Sequence, residues 1–156
     1  MSGLRMIAIP TKIAEVVRTS MQAPGYGHPA HREIASGYGP CRHCLRTFRV
    51  GSEERILFTY DPFHGLAEFP LPGPIFVHAE ACERYGEVSE FPEELRAHAL
   101  TLVAYGDQRN VLRKEYVADG KIESVAGNLL GEPCARYVHV RDTVAGCYDL
   151  RIERGY

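Results

Sequence analysis

The chain is organised around a stretch that begins with Pro40-Cys41-Arg42-His43-Cys44-Leu45 and ends with Gly73-Pro74-Ile75-Phe76-Val77-His78-Ala79-Glu80-Ala81-Cys82. Taken as ligands, the beginning gives Cys-x2-Cys and the end gives His-x3-Cys. Thiols and an imidazole in two close pairs are typical of a tetrahedral zinc site. The sequence therefore predicts one structural Zn²⁺ whose ligands are Cys41, Cys44, His78 and Cys82.

The His-x3-Cys pair sets a condition on the backbone. Residues four apart lie roughly 13 Å from each other in an extended strand, but only about 6 Å apart in a helical turn. A single zinc ion therefore requires the strand to end at His78. Ala79-Glu80-Ala81-Cys82 contains good helix formers, so we expect a helical turn there. Such a closed site would hold together two loops that have few apolar anchors.

Two other interpretations of the cysteines stay open. In the first, Cys82 is a small buried hydrophobe and His78 is a hydrogen-bonded strand residue. In the second, the Cys-x2-Cys pair belongs to a thiol oxidoreductase, because Arg42 and His43 would favour a thiolate. However, the thioredoxin-type pair begins a helix after a strand, whereas this pair follows a Gly-rich loop. The setting therefore favours a metal over redox chemistry.

Length and composition are those of an ordinary globular protein. The chain has 156 residues, of which 45% are hydrophobic and 24% charged, so we expect a single domain over residues 1–156. The net charge of −2 argues against a nucleic-acid or anionic-membrane partner. No apolar run is long enough to span a bilayer, and the N-terminal apolar patch is too short for a secretory signal. A cytoplasmic location is therefore expected, and there the five cysteines are not expected to form a disulfide framework.

Hydrophobic periodicity and turn residues predict an α+β fold with a mostly antiparallel sheet, two or three helices and two long loops. The loops cover residues 22–40 and 61–74, which are rich in Pro and Gly. Strands are predicted over residues 4–9, 55–60, 75–78, 100–105, 111–117, 135–141 and 148–154, and residues 41–50 could be extended. Helices are predicted over residues 11–21, 92–95 and 122–130, with Gly131 capping the last.

A second group of reactive side chains lies near the C-terminus. His139 and Arg141 alternate along a predicted strand and so share a face, and Cys147 begins the next strand. With Arg42 they would form a positive pocket for a small carboxylate or phosphate, in which Cys147 could be an activated nucleophile. In the alternative, Arg141 pairs with a carboxylate and Cys147 packs in the core. An enzyme acting on a small anionic substrate would therefore have Arg42, His139, Arg141 and Cys147 as its catalytic candidates.

Several short blocks carry a family resemblance. They are Pro40-Cys41-Arg42-His43-Cys44-Leu45, Gly51-Ser52-Glu53, Gly73-Pro74-Ile75-Phe76-Val77-His78, Leu102-Val103-Ala104-Tyr105, His139-Val140-Arg141 and Gly146-Cys147-Tyr148. Their order and spacing resemble an uncharacterised bacterial family, catalogued as domain of unknown function 1203. The resemblance implies a small bacterial protein of about this length and brings no activity. The favoured hypothesis is therefore a small zinc-stapled α+β binding protein, with the anion-directed enzyme and the thiol oxidoreductase as alternatives.

Overall fold

The computed structural model describes residues 3–63 and 72–155. In chain order, the elements of this part are β1 (Leu4–Ile7), α1 (Thr11–Ser20), β2 (His31–Ile34), β3 (Glu54–Tyr60), β4 (Gly73–His78), β5 (Leu100–Tyr105), β6 (Val111–Val117), α2 (Ile122–Leu130), β7 (Tyr137–Asp142) and β8 (Tyr148–Arg154). Short 3-10 turns lie at Glu93–Leu95 and Asp107–Arg109. The two helices and two antiparallel sheets of these residues confirm the predicted α+β class.

The chain forms two compact units. The five-stranded unit comprises Met1–Ala8 and Gly86–Tyr156, and the three-stranded unit comprises Ile9–Tyr85. In the described part of the chain, neither helix is long and apolar enough to cross a membrane.

The five-stranded unit is an antiparallel sheet in the order β1-β8-β7-β5-β6, with α2 packed against it. One face of the sheet is apolar because inward and outward side chains alternate along each strand. Fully buried residues on that face include Met6, Leu102, Val138, Leu150 and Ile152. The stripe of α2 that contains Ile122, Ala126 and Leu129 is also fully buried. The strands predicted over 100–105 and 111–117 pair as β5 and β6, and those predicted over 135–141 and 148–154 pair as β7 and β8. Helix α2 is also confirmed.

A half-buried ion pair between Arg96 and Glu123 fixes the start of α2. Arg96 binds both carboxylate oxygens of Glu123, which lies in the first turn of the helix. The backbone N–H of Phe91 also donates to Glu123, at 2.9 Å. These hydrogen bonds, that of Arg96 above all, lower the pKa of Glu123 to about 2. The carboxylate therefore stays ionised and holds the segment before β5 to the helix.

The three-stranded unit has β3, predicted as a strand over 55–60, in the centre of the order β2-β3-β4. Ile56 on β3 and Val77 on β4 are directly paired and fully buried. Helix α1, which was predicted over 11–21, buries Ile13, Ala14 and Val17.

Three predictions about this unit need correction. The loop over 22–40 contains β2, because this edge strand pairs with β3 while leaving its mostly polar side chains exposed, so that no alternation marks it. Residues 41–50 form turns and irregular backbone instead of a strand. The loop over 61–74 ends earlier than predicted, since β4 begins at Gly73; its residues 64–71 lie outside the described residues.

Candidate metal centre

The four predicted ligands lie together in the three-stranded unit. Donor atoms of Cys41, Cys44, His78 and Cys82 all lie within 4.8 Å of one another. The Sγ atoms of Cys41 and Cys82 are 3.9 Å apart, and Cys44 Sγ is 3.4 Å from His78 Nδ1. Tetrahedral zinc with ordinary bond lengths requires sulfur–sulfur separations of about 3.8 Å and sulfur–nitrogen separations of about 3.6 Å. The cluster therefore has the dimensions needed to hold one metal ion.

A tight turn brings the Cys-x2-Cys thiols together. The backbone N–H of Leu45 donates to Cys41 O at 2.8 Å, and that of Cys41 donates to Arg46 O at 2.9 Å. Leu45 closes the turn with a φ of 59°, a left-handed conformation that costs a leucine free energy. Cys41 also forms a parallel bridge with Phe76, which fixes the turn beside β4. Cys41 and Cys44 consequently point into one buried space.

The chain bends immediately after His78, which satisfies the condition that one metal places on His-x3-Cys. Strand β4 ends at His78 and a bend follows at Ala79 and Glu80. The predicted helical turn is wrong. The Ala79 N–H donates to Glu54 O at 3.1 Å, and the Tyr85 N–H donates to His43 O at 3.0 Å. Because these bonds connect the segment to neighbouring backbone, Cys82 reaches the cluster without a helix.

Groups behind His78 orient its ring. Its Nδ1 faces the cluster while its Nε2 lies 3.3 Å from Glu53 Oε2. A carboxylate on the outer nitrogen is the usual support of a metal-bound histidine. Glu53 is itself held by the Arg49 backbone N–H at 2.8 Å, a hydrogen bond that lowers the pKa of Glu53 together with His78. The backbone N–H of His78 donates to Cys41 Sγ at 3.2 Å, which holds the end of β4 against that thiol.

Two basic side chains reach Cys82 that sequence reasoning did not connect with it. Arg18 Nη2 donates to Cys82 Sγ at 3.3 Å, and His43 Nδ1 lies 3.1 Å from the same sulfur. His43 Nε2 is 2.9 Å from Thr11 Oγ1. Thr11 and Arg18 are seven residues apart on α1 and so share a helix face. This spacing alone could have linked the two residues, but no motif connects them with Cys82. His43 was predicted to favour a thiolate in the Cys-x2-Cys pair, but its contact is with Cys82.

The cluster stabilises negative charge. Hydrogen bonds from Cys41 and Cys44, with further ones from His43 and His78, lower the pKa of Cys82. Hydrogen bonds with Cys41 and Cys82, then burial, raise the pKa of the Cys44 thiol. Burial opposes protonation of His78, but its hydrogen bonds with Cys41 and Cys82 raise its pKa to about 10. A bound cation would take the place of protons on these donors, so metal binding should weaken as the pH falls.

The predicted catalytic residues are divided between the two units. Arg42 belongs to the three-stranded unit, where it is buried and donates to Pro40 O at 2.7 Å. His139, Arg141 and Cys147 belong to the five-stranded unit. Arg141 donates to Gly146 O at 3.2 Å, and Cys147 is half-buried. The proposed pocket of all four residues stays a prediction.

His139 lies in an aromatic group. Its ring centroid is 5.0 Å from that of Tyr105, 5.1 Å from that of Tyr137 and 4.9 Å from that of Tyr148. Burial, followed by the charges of Arg141 and Arg151, lowers the pKa of His139 well below its usual value. The ring is fully buried, and because its pKa is lowered it is neutral.

Comparison with known proteins identifies one family. A family model described as "Protein of unknown function (DUF1203)" matches residues 38–154. No curated protein and no solved structure matches the chain. The matched range contains the four donors of the cluster as well as the aromatic group around His139.

Proposed function

Because the chain belongs to the family of unknown function DUF1203, which brings no activity with it, we propose from its own residues that it is a small binding protein stapled by one structural Zn²⁺. The single observation that carries this proposal is the convergence of Cys41, Cys44, His78 and Cys82 within 4.8 Å. The metal would be held by all four side chains, each through one donor atom.

The donor set supports zinc over other common metals. Thiolates and imidazole suit Zn²⁺, whereas Mg²⁺ and Ca²⁺ prefer carboxylate, carbonyl and water oxygens. Four protein donors fill a tetrahedron and leave no position for water or substrate, which is the pattern of a structural site. Burial agrees, since Cys41 is 0% and Cys44 8% exposed.

The metal would supply folding free energy where the three-stranded unit has little regular structure. It would tie the turn at residues 41–44 to the end of β4 and to the irregular segment that carries Cys82. Structural zinc contributes on the order of 10 kcal/mol in zinc-finger peptides. We place the protein in the cytoplasm, because the site requires reduced thiols and all five cysteines are free.

Metal analysis tests the proposal. Untagged protein, purified without added metal or chelator, should contain about one zinc per chain by inductively coupled plasma mass spectrometry. The Cys44→Ala and Cys82→Ala variants should lose it. Cys134→Ala and Cys147→Ala are matched controls that should keep it, because both cysteines lie in the five-stranded unit. Metal-free protein, or full zinc content in the Cys44 and Cys82 variants, would overturn the proposal.

A second candidate function, binding of a small anion in the five-stranded unit, has one observation in its favour. Arg141 Nη2 is buried and has no hydrogen-bond partner among the described residues. Arg151 is paired with His139 across β7 and β8, and its guanidinium carbon lies 6.0 Å from the centroid of the Tyr137 ring. A carboxylate or phosphate would satisfy the buried donor, which otherwise costs about 1–3 kcal/mol.

Titration with inorganic phosphate, followed by amide chemical shifts, tests this second function. Saturable shifts should be confined to β7 and β8 and should be lost in Arg141→Met. Arg136→Met is the control, because Arg136 is exposed and pairs with Asp107. Shifts that are absent, or that survive in Arg141→Met, would exclude this site. If binding is confirmed, thiol labelling with and without phosphate shows whether Cys147 lies at the ligand, as an enzyme with a cysteine nucleophile requires.

A further inference from the structure

Cys82 differs from the other donors of the cluster in access. Cys41 and Cys44 are buried, and so is His78, whereas Cys82 is only half-buried. It is also carried by a segment without helix or strand, while His78 ends β4. Solvent and small solutes can therefore reach the Cys82 sulfur more easily than the other donors.

Cys82 also differs in the partners that it has besides the metal donors. Arg18 Nη2 at 3.3 Å and His43 Nδ1 at 3.1 Å both face its sulfur. These donors compete with a metal for the charge on sulfur and keep that charge stabilised when the sulfur leaves the metal. Arg18 is anchored because its Nε donates to the His78 carbonyl at 3.0 Å. Detachment from the metal should consequently cost least at Cys82.

Cys41 is positioned to react with a modified Cys82. Their sulfurs are 3.9 Å apart, and a disulfide needs a separation of about 2.05 Å. Movement of the half-buried Cys82 by less than the width of one atom closes this gap. A bond between them would remove two of the four metal donors and leave only Cys44 and His78.

We propose that Cys82 is the detachable ligand of the site and its peroxide-reactive thiolate, and that its oxidation to a disulfide with Cys41 releases the metal. This inference rests on the proposed zinc site and adds its regulation by a peroxide. The proposed thiol oxidoreductase would use the pair Cys41 and Cys44; the reactive pair here is Cys82 and Cys41.

The chemistry balances in two steps. The Cys82 thiolate attacks one peroxide oxygen and the O–O bond breaks. Cys82 becomes a sulfenic acid, and the departing hydroxide takes a proton to form water. The Cys41 thiolate then attacks the sulfenic sulfur, forming the disulfide and expelling hydroxide, which is protonated to a second water. Two cysteine sulfurs have lost one electron each, and the peroxide has gained both.

The test uses zinc-loaded protein and hydrogen peroxide. Zinc release is followed with a chromogenic chelator, and free thiols are then blocked with N-ethylmaleimide before peptide mass spectrometry. We expect one zinc released for each Cys41–Cys82 disulfide formed. Arg18→Met should slow disulfide formation about tenfold, which is the scale of one lost charge-assisted hydrogen bond. Thr11→Val, which leaves His43 less firmly oriented, should slow it less.

Lys12→Met is the matched control for charge removal on the same helix, because the Lys12 side chain is exposed. Its rate should equal that of the unaltered protein. All variants are first loaded to one zinc per chain, so that the rates compare the oxidation of Cys82 and not the affinity for zinc. If Arg18→Met does not fold, Thr11→Val carries the comparison.

The two proposals fail in different ways. Zinc-free protein before peroxide overturns the zinc site. Zinc-loaded protein in which peroxide first oxidises Cys134 or Cys147, or joins Cys44 instead of Cys41 to Cys82, overturns the inference and leaves the zinc site standing. Equal rates in the unaltered, Arg18→Met and Thr11→Val proteins also overturn it, because the basic side chains would then have no part in the reaction.

Discussion

The five-stranded unit and the three-stranded unit are stabilised by different interactions. In the former, α2 covers a sheet face of fully buried apolar side chains, such as Leu102 and Leu150. The latter has a smaller sheet with an exposed edge strand. Among the described residues it buries four charged or polar side chains, whereas the five-stranded unit buries two: Arg42, His43, Arg55 and His78 against His139 and Asp149. Burial of polar groups is favourable only when their partners are present. The three-stranded unit therefore depends on specific partners, and the metal would be the most important of them.

Removal of the metal should have the largest effect and should be confined to one unit. Chelation, or Cys44→Ala, should lower the free energy of opening of the three-stranded unit by several kcal/mol, because the cluster loses the ion that joins its segments. Hydrogen exchange should show faster exchange at β3 and β4 amides than in zinc-loaded protein, with β5 and β7 little changed. Equal protection of β3 with and without metal would contradict the comparison, and Cys134→Ala serves as the control.

A truncation in the core of the five-stranded unit should destabilise that unit and leave the three-stranded unit unchanged. Leu102 is fully buried on β5, so Leu102→Ala should cost about 2–5 kcal/mol through lost burial and a cavity. Urea denaturation measures the loss, and the zinc content should stay unchanged. Val144→Ala is a control, because Val144 is 91% exposed in the same unit. Loss of zinc in Leu102→Ala would show that the two units are not independent in this respect.

Sequence patterns predicted the five-stranded unit best, because apolar burial leaves a periodic record. The strands over 100–105 and 111–117 have their predicted bounds, and so has the helix over 122–130. By contrast, β2 was missed because its side chains are exposed and its order comes from hydrogen bonds to β3. Backbone pairing of this kind leaves no residue pattern of its own.

The candidate site was predictable only in part. Its four donors could be found, because chelation by Cys-x2-Cys and His-x3-Cys depends on short spacings along the chain. Their supporting groups could not be found in this way. Glu53 precedes His78 by 25 positions, and Arg18 lies on another element. Such contacts depend on tertiary structure and cannot be predicted from spacing along the chain.

Removing the support that Glu53 gives to His78 should have a moderate effect on the affinity for zinc. Replacing the carboxylate in Glu53→Gln weakens the interaction at His78 Nε2, now 3.3 Å long. Loss of such a partner typically lowers metal affinity by 10- to 100-fold. Competition with a chromogenic chelator measures the change in Kd for zinc. Glu54→Gln is the control, because Glu54 pairs with Arg32 on the exposed surface; an equal effect of both variants would argue against a specific role of Glu53.

The smallest effect should come from acid titration of the five-stranded unit. Glu123 has a pKa of about 2 instead of its usual 4.5, chiefly because of Arg96. Since the folded-state pKa lies below that of the unfolded chain, the carboxylate stabilises the fold above about pH 4.5, and this contribution is lost as the pH falls toward 2.

Screening limits the contribution of the Arg96–Glu123 pair, because a third of the Glu123 side chain is exposed; we expect about 1–2 kcal/mol. Denaturation of the zinc-loaded proteins at several pH values should show a shallower acid slope in Glu123→Gln than in the unaltered protein, because protonation of the metal ligands contributes equally to both. Glu93→Gln should keep the slope of the unaltered protein, because Glu93 also pairs with Arg96 but is 88% exposed. Equal slopes in all three proteins would mean that the start of α2 is held by apolar packing alone.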